Sequence, residues 1–356
     1  MQRAGPAGHR YGKWFGPLKR NHPLFLTQMV VRTGRIWTDA SHSWPATASE
    51  AQSVTRFTDP SRFDTPAIDE HRLRGHVQRL AGEIGERNVF KPHALAEAAE
   101  YIEATWRDQG YEVARQWYEV SGVRCANLEI TRRGRRWPGE ILLIGAHYDS
   151  VSGSPGANDN ASGVAALMEI SRLFTGFDPA VTVRFVAFTN EEAPFFTTKH
   201  QGSMVYARAA RVRGDGIRLA VVLETIGFYS DEPRSQRYPP FFRLFYPDCA
   251  NFIGFVSNFS SRRITRRAAR LFRDQSDFPL EHVATFEFIP GVNWSDHRSF
   301  WRHGYHSFMV TDTAFYRYPY YHTDQDTPDK LAYAQFSQAT ISLHQCFAAI
   351  ALSEIS

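Results

Sequence analysis

Cysteine is scarce in this chain, which has three among its 356 residues. Cys125, Cys249 and Cys346 lie far apart and form no CxxC pair, so we expect neither a disulfide framework nor a cysteine-based metal site, although one disulfide stays open. The sequence also has no apolar run close to the ~20 residues that a membrane-spanning helix needs. We therefore expect no integral membrane segment.

A strong net charge is also absent, since 41 Lys and Arg residues face 37 Asp and Glu residues for a net charge of +4. Arginines still cluster at two places, 132–136 and 262–270. Arg262, Arg266 and Arg270 follow an i, i+4, i+8 spacing, which places them along one side of a predicted helix. We interpret them as a solvated stripe and expect no nucleic-acid partner; a role at an anionic surface is the alternative.

The first 62 residues are rich in Gly, Pro, Ser, Thr and Arg and show no sustained periodicity. We predict a poorly ordered N-terminal extension over 1–62, followed by one catalytic domain over 63–356. The apolar run 23–31 is similar to the centre of a signal peptide. However, Thr27 and Gln28 interrupt it and no clear small-residue cleavage site follows, so it predicts no compartment.

From about residue 64 the pattern alternates between strands and helices. The apolar spacing predicts helices at 68–84, 92–109, 163–174, 200–211, 262–273 and 331–355, and strands at 111–120, 125–131, 141–146, 181–188, 219–223, 283–288 and 307–311. Residues 228–260 are aromatic and proline-rich, which is typical of loops. This alternation predicts an α/β fold whose open, mostly parallel sheet is covered by helices on both faces.

Imidazole and carboxylate side chains directly follow the predicted strands or lie in the loops after them: His147, Asp159, Glu191, Glu192, Glu224 and His322. In open α/β sheets the carboxyl ends of the strands form the ligand-binding edge, so residues distant in sequence would meet there. Histidine nitrogens and carboxylate oxygens are ligands that hydrolytic Zn²⁺ takes. The pattern therefore predicts a metallohydrolase.

Individual positions allow more than one interpretation. The adjacent Glu191 and Glu192 suit a division of labour, in which one ligates a metal and the other is a general base, although a charged strand exit is the structural alternative. Asp149 can accept a proton from the second ring nitrogen of His147 and so orient it. Ser295, Asp296 and His297 begin a short helix, in which Ser295 or Asp296 would be the cap; the alternative is that Asp296 or His297 lines a substrate pocket.

Five segments, in order, resemble motifs of peptidase family M28: GAHYDS, GANDNASG, NEE, a carboxylate before a hydrophobic residue and glycine, and YHTxxDT. Gly202-Ser203 and the SDH segment also match, and the resemblance runs from about residue 75 to the C-terminus. The family contains leucyl aminopeptidases, plasma glutamate carboxypeptidase, glutaminyl cyclases and the non-catalytic transferrin receptors. The resemblance implies a mixed, mostly parallel eight-stranded sheet and a peptide substrate.

The resemblance also implies two Zn²⁺ ions per chain. Position by position, one ion would be held by His147, Glu224 and one carboxylate oxygen of Asp159. The second would be held by Glu192, His322 and the other oxygen of Asp159. Family aminopeptidases typically have Asp where this chain has Glu224, and this departure bears on the substrate class more than on the metal count.

The implied activity is that of an aminopeptidase in which Glu191 is the general base and Asp149 the partner of His147. Three alternatives stay open at this point. Related co-catalytic carboxypeptidases use Glu at the position of Glu224, so a carboxypeptidase or an N-acyl amidohydrolase is one. A glutaminyl cyclase with a single zinc ion is the second, and a non-catalytic binding module is the third. The sequence predicts no oligomeric state.

Overall fold

The computed structural model describes residues 68–355. The predictions for 1–62, for the apolar run 23–31 and for the domain boundary at residue 63 lie outside the described residues. None of the helices in the described part is long and apolar enough to cross a membrane.

One sheet of eight strands forms the centre of the described domain, with spatial order β1-β2-β4-β3-β5-β8-β6-β7. Its strands are β1 (Ala114–Val120), β2 (Val123–Arg132), β3 (Trp137–His147), β4 (Val181–Phe188), β5 (Ile217–Glu224), β6 (Ile253–Asn258), β7 (Leu280–Thr285) and β8 (Ser307–Thr311). The run β4-β3-β5-β8 is parallel, as is the pair β6-β7. The pairs β1-β2, β2-β4 and β8-β6 are antiparallel. The prediction of a mixed, mostly parallel sheet is confirmed.

Eight helices accompany the sheet in the described residues: α1 (Glu70–Val77), α2 (Pro92–Asp108), α3 (Gly163–Phe174), α4 (Gly202–Arg213), α5 (Arg262–Gln275), α6 (His297–Arg302), α7 (Ala314–Arg317) and α8 (Tyr333–Ala351). α1 continues into a wider helical segment, Gln78–Ile84. Two buried apolar clusters pack against the sheet, one on each face. One joins α1, α2, α3, α5 and α8, and the other joins α4 and α6.

Strand β3 shows how the sequence fills both layers. Leu142 and Ile144 contribute to the larger cluster, while Ile141 and Leu143 point to the other face. Successive side chains of a strand alternate between faces, so a continuous apolar run is required where helices cover both.

Strand β6 lies within residues that the sequence predicts as loop. It has six residues, IGFVSN, and contains a glycine, so its local pattern is weak. Pairing with β7 on one side and β8 on the other determines its conformation. β7 also begins three residues before the predicted start. Short strands of this kind depend on tertiary partners more than on local preference.

Candidate metal centre

Three neighbouring parallel strands, β3, β4 and β5, end at the same edge of the sheet. His147 is the last residue of β3 and Glu224 is the last residue of β5. Glu191 and Glu192 follow the end of β4 after two residues. The parallel pairing therefore brings together side chains that are distant in sequence, as expected for this class of sheet.

The backbone takes left-handed conformations around this edge. Asn190 has a φ of 58°, Thr225 a φ of 47° and His322 a φ of 59°. Non-glycine residues seldom adopt this region, and such strain concentrates at functional sites when the surrounding structure holds it in place. These bends turn the chain directly after β4 and β5 and present the flanking acidic side chains at the edge.

Asp159 lies between two histidines, one facing each of its carboxylate oxygens. His147 Nε2 is 3.2 Å from Asp159 Oδ1 and 3.3 Å from Glu224 Oε2. His322 Nε2 is 3.0 Å from Asp159 Oδ2 and 3.4 Å from Glu192 Oε2. The structure thus brings together all five residues that the sequence suggests as ligands, in two groups of three that share Asp159.

The donor atoms of each group fit a metal ion. Within a group they lie within 4.8 Å of one another, and they combine imidazole nitrogen with carboxylate oxygen, as zinc sites do. Three of these buried atoms, His147 Nε2, Asp159 Oδ1 and Glu192 Oε1, have no hydrogen-bond partner among the described residues. Unpaired buried polar atoms cost free energy, and a bound cation would satisfy them.

The Asp149 carboxylate contacts the backbone of Glu191 and Glu192 more closely than it contacts the ring of His147. Its carboxylate accepts the backbone N–H groups of Glu191 and Glu192, each at 3.1 Å. His147 Nδ1 lies 3.1 Å from the backbone carbonyl oxygen of Asp149 but 3.6 Å from its carboxylate. The ring is therefore oriented by the main chain, while the Asp149 side chain joins the end of β3 to the Glu191-Glu192 segment.

Burial changes the proton affinity of the acidic residues at the centre. Burial raises the pKa of Glu191 well above its ordinary value, and nearby carboxylates add to this. The pKa of Glu192 rises for the same reasons, with Asp159 as its main acidic neighbour. Against the opposing effect of burial, His147 and His322 hold the pKa of Asp159 below its ordinary range. The Glu191 carboxylate makes no hydrogen bond to another described residue, which leaves it free to exchange a proton.

Asp326 is a supporting residue that sequence reasoning missed. It is fully buried, and its carboxylate accepts the backbone N–H groups of Asn158 at 2.8 Å and Asp159 at 3.1 Å. The hydroxyl of Tyr318 donates to it at 2.7 Å. The Asp-rich loop of His322 is thereby tied to the turn that carries Asp159. In the sequence Asp326 is the acidic residue of the YHTxxDT motif, but the motif alone gave it no role.

The SDH segment, Ser295 to His297, lies beside Glu224, and its three residues contact different groups. The Ser295 hydroxyl donates to Glu224 Oε2 at 2.6 Å, a contact that the sequence did not suggest. Asp296 and His297 are fully buried. Gln201 donates to Asp296 at 3.0 Å, and His297 Nε2 lies 2.8 Å from the Val292 carbonyl oxygen. Burial lowers the pKa of His297 to about 4. A substrate contact by Asp296 or His297 stays a prediction.

An apolar cavity of about 120 Å³ opens next to Glu224. Its lining includes the aromatic side chains of Trp294, Phe315, Tyr316 and Tyr321, and the Tyr321 ring stacks on His322. Tyr229 is not part of this lining and packs edge-on against Phe278. None of the described residues that line this cavity is a lysine or an arginine.

A buried guanidinium supports the loops beneath the centre. Arg87 is fully buried and donates to the backbone carbonyls of Tyr148 and Gly156, as well as to those of Leu80, Gly85 and Pro155. Burial lowers its pKa to about 10, although nearby acidic residues oppose this. Arg87 thus joins the chain after α1 to two of the segments that carry ligands, those of His147 and Asp159.

Comparisons with known proteins agree with this geometry. A family model described as peptidase family M28 matches residues 127–345. The uncharacterised protein YfbL of Escherichia coli (strain K12) is 35% identical over 324 residues, which cover 88% of this chain and 92% of that protein. BSAP, a zinc aminopeptidase from Bacillus subtilis, has a similar structure with a TM-score of 0.64 and 14% identity, over 81% of this chain and 97% of BSAP. Fimbriiglobus ruber glutaminyl cyclase also has a similar structure, with a TM-score of 0.60 and 20% identity, over 80% of this chain and 97% of the cyclase.

Proposed function

This chain belongs to peptidase family M28, and from this premise we propose that it is a zinc-dependent aminopeptidase with two metal ions in its centre. The observation that carries the proposal is the position of Asp159, whose two oxygens face His147 and His322 at 3.2 and 3.0 Å. A carboxylate in this position is suited to bridge two ions. Glu224 completes one group of ligands and Glu192 completes the other.

Two zinc ions held there would polarise the scissile carbonyl and make a water molecule a stronger nucleophile near neutral pH. The chain itself supplies the proton transfer. Glu191 is buried at the centre, its backbone is fixed by Asp149, and its carboxylate has no hydrogen bond to another described residue. It is therefore placed to accept a proton from the attacking water and return it to the leaving amine. Burial and the nearby carboxylates raise its pKa, which strengthens its affinity for that proton.

The lining of the cavity beside Glu224 favours an aminopeptidase over a carboxypeptidase. The four carboxylates of Asp159, Glu191, Glu192 and Glu224 would balance the charge of two Zn²⁺ ions, so the centre would have no excess positive charge to hold a substrate carboxylate. A carboxypeptidase needs a cation to bind the substrate carboxylate, and the cavity beside Glu224 has neither lysine nor arginine among its described lining. The aromatic wall of the cavity suits an apolar substrate side chain.

A glutaminyl cyclase is the second candidate, because the chain also shares its fold with the Fimbriiglobus ruber enzyme. The two activities differ in product. An aminopeptidase releases a free amino acid, whereas a cyclase closes an N-terminal glutamine and releases ammonia without cutting the peptide.

A panel of dipeptides tests the proposal directly. Phe-Ala with free termini, N-acetyl-Phe-Ala, Phe-Ala-amide and Gln-Ala should be incubated with zinc-loaded protein, and the products identified by mass spectrometry. We expect cleavage of Phe-Ala and Phe-Ala-amide and no cleavage of the acetylated peptide. Cleavage that requires the free carboxylate would instead support a carboxypeptidase. Loss of ammonia from Gln-Ala without cleavage of the other peptides would support a cyclase.

A further inference from the structure

A second cavity, of about 860 Å³, lies at the edge of the sheet where β5 and β8 begin. The metal centre lies at the opposite edge, where β5 ends. β5 has eight residues, and at ~3.3 Å per residue the two edges are about 26 Å apart. We call this cavity the basic cleft and define it by Arg211, Arg218, Arg262, Arg263, Tyr305 and His306.

Positive charge around the basic cleft is only partly compensated. Arg218 pairs with Glu140 at 3.3 Å. In the part of the chain that the structure describes, no carboxylate pairs with Arg211, Arg262 or Arg263. Asp215 is the acidic residue among those lining the cleft, and it already binds two other cations, Arg184 at 2.6 Å and Arg213 at 2.7 Å. The rim therefore carries an excess of guanidinium groups.

The floor of the same cleft is apolar. Ile217, Ile264, Tyr305 and Ile355 line it, and each exposes less than a tenth of its surface. Three secondary-structure elements contribute the rim, with Arg211 from α4, Arg218 from β5, and Arg262 and Arg263 from α5. The arginines of the cleft therefore come from three elements and surround an apolar surface, whereas a solvated stripe would lie along one helix and face only water.

We infer that the basic cleft binds a phosphate-bearing ligand with an apolar part. Guanidinium groups match phosphate oxygens with two parallel hydrogen bonds, which makes arginine the preferred residue for such anions. The apolar part of the ligand would cover the floor formed by Ile217 and Ile264. A free phosphorylated molecule and the headgroup of an anionic lipid share this chemistry. The site is separate from the metal centre and does not depend on the peptidase activity.

The arginine stripe of α5 provides a matched control. Arg266 and Arg270 are exposed on the same helix and have no carboxylate partner among the described residues, but they do not line the cleft. Replacing both with glutamine removes the same charge as replacing Arg262 and Arg263. A difference in binding affinity between the two double variants would therefore be due to the cleft and not to the general charge of the helix.

Binding should be measured on the full chain with two probes. Tripolyphosphate titrated by calorimetry represents the free ligand, and vesicles with phosphatidylglycerol, compared with phosphatidylcholine alone, represent the lipid. We expect saturable binding of at least one probe, weakened about 10-fold or more by Arg262→Gln with Arg263→Gln, since hydrogen bonds to charged groups are among the stronger ones. Arg266→Gln with Arg270→Gln should change the affinity by less than about 2-fold. Arg211→Gln, on α4, should also weaken binding.

Which probe binds identifies the source of the phosphate, and either result supports the inference. The absence of saturable binding with both probes overturns it. So does an equal loss of affinity in the two double variants, because that result describes diffuse attraction to the helix. Circular dichroism shows whether the cleft variant is folded; if it is not, the Arg211→Gln variant decides between these outcomes. Cleavage of Phe-Ala should be the same in all three variants.

Discussion

Asp159 is the residue on which both groups of ligands depend, because its oxygens face different imidazoles. The resemblance to the family implied that this carboxylate is shared by two ions. The hydrogen bonds that hold it could not be predicted in the same way. The amide of Asp159 is bound by Asp326, which is far away in the sequence and lies in a loop with several similar acidic residues. The YHTxxDT motif specifies Asp326 and leaves Asp324 open, but only the folded arrangement shows which groups Asp326 binds.

The division of labour between Glu191 and Glu192 is testable by paired substitutions. Glu191→Gln should keep both ions, because its carboxylate belongs to neither ligand group, but it should lower kcat by about 10²-fold or more, the usual scale for general acid–base catalysis. Glu192→Gln is the control and should lose metal from one site. Zinc content and peptide hydrolysis measured on both variants would check this. Equal metal loss in the two variants would refute the assignment.

Glu224 is the position at which the chain differs from family aminopeptidases, and Ser295 now explains how its longer side chain is held. Glu224→Asp should withdraw the carboxylate by roughly 1.5 Å and lengthen the hydrogen bond from Ser295, which is 2.6 Å in the structure. We expect weaker metal binding at one site and a lower rate, since misplacement by about 1 Å can cost ~10²-fold.

Metal titration and peptide hydrolysis on the Glu224→Asp variant are the measurements. Ser295→Ala is the companion variant, because it removes the hydrogen bond without shortening the side chain, and it should have a smaller effect in the same direction. If Glu224→Asp matches the unsubstituted protein in both affinity and rate, Glu224 is not a ligand.

His322 should make the metal-free protein sensitive to pH. Although burial opposes it, Asp159 and Glu192 raise the pKa of His322 to about 9, above the ~6.5 of an unfolded histidine. A raised pKa means that protonated His322 stabilises the fold fully below about pH 6.5 and that this contribution is lost as the pH rises through about 9.

The melting temperatures of the chelated protein and of chelated His322→Gln, compared from pH 6 to pH 10, would show this. The difference between the two should shrink as the pH rises. With zinc present the direction reverses, because the metal binds the neutral ring and its affinity should increase with pH. A difference in melting temperature that stays constant across the range would contradict the coupling.

The ligands lie on strands β3 and β5, in the segments after β3 and β4, and in the loop of His322, and the sequence predicted these three strands well. Their apolar runs are long enough to be recognised, and the acidic residues directly after them mark where each strand ends. β6 was missed because six residues with a glycine have no strong local pattern. The same limit applies to Arg87, whose role depends on five carbonyls from segments that meet only after folding.

The loop of His322 is joined to the turn of Asp159 by Asp326, and this connection can be weakened selectively. Asp326→Asn would leave one oxygen as acceptor and direct an amide N–H against a backbone donor, either that of Asn158 or that of Asp159. We expect a loss of about 1–3 kcal/mol in the free energy of unfolding, the usual cost of an unsatisfied buried group, and weaker zinc binding.

Tyr318→Phe is the control for Asp326→Asn, because it removes the hydroxyl bond and keeps both backbone bonds to Asp326. Denaturant unfolding of the two variants without metal, followed by zinc titration, would separate stability from affinity. Equal effects on zinc affinity would show that the two backbone bonds do not position Asp159.

At the scale of the whole molecule, the α/β class, the mixed sheet and the family are all confirmed. The alternation of strands and helices predicted the class, and the ordered motifs predicted the family. The antiparallel pairing of β6 with β8 was not predictable, since the direction of a short strand depends on connections whose residues show no regular pattern. The relation of 1–62 to the domain stays a prediction.

The whole molecule should bind two zinc ions. Elemental analysis of protein purified without chelator should give about two zinc per chain, and chelation should abolish peptide hydrolysis until zinc is added back. Chelation should also lower the melting temperature, because a ligand at 100 times its Kd stabilises the folded state by about 2.7 kcal/mol. A stoichiometry that stays at one zinc per chain after reconstitution would favour the cyclase.

About half of the 356 residues lie between His147 and His322, whose side chains meet at the single carboxylate of Asp159. Contacts between such distant residues form late in folding, because the entropy of closing so long a loop must be offset first. A partly folded chain therefore has a divided set of ligands and no complete centre. The metal centre would therefore become complete only after the sheet is assembled.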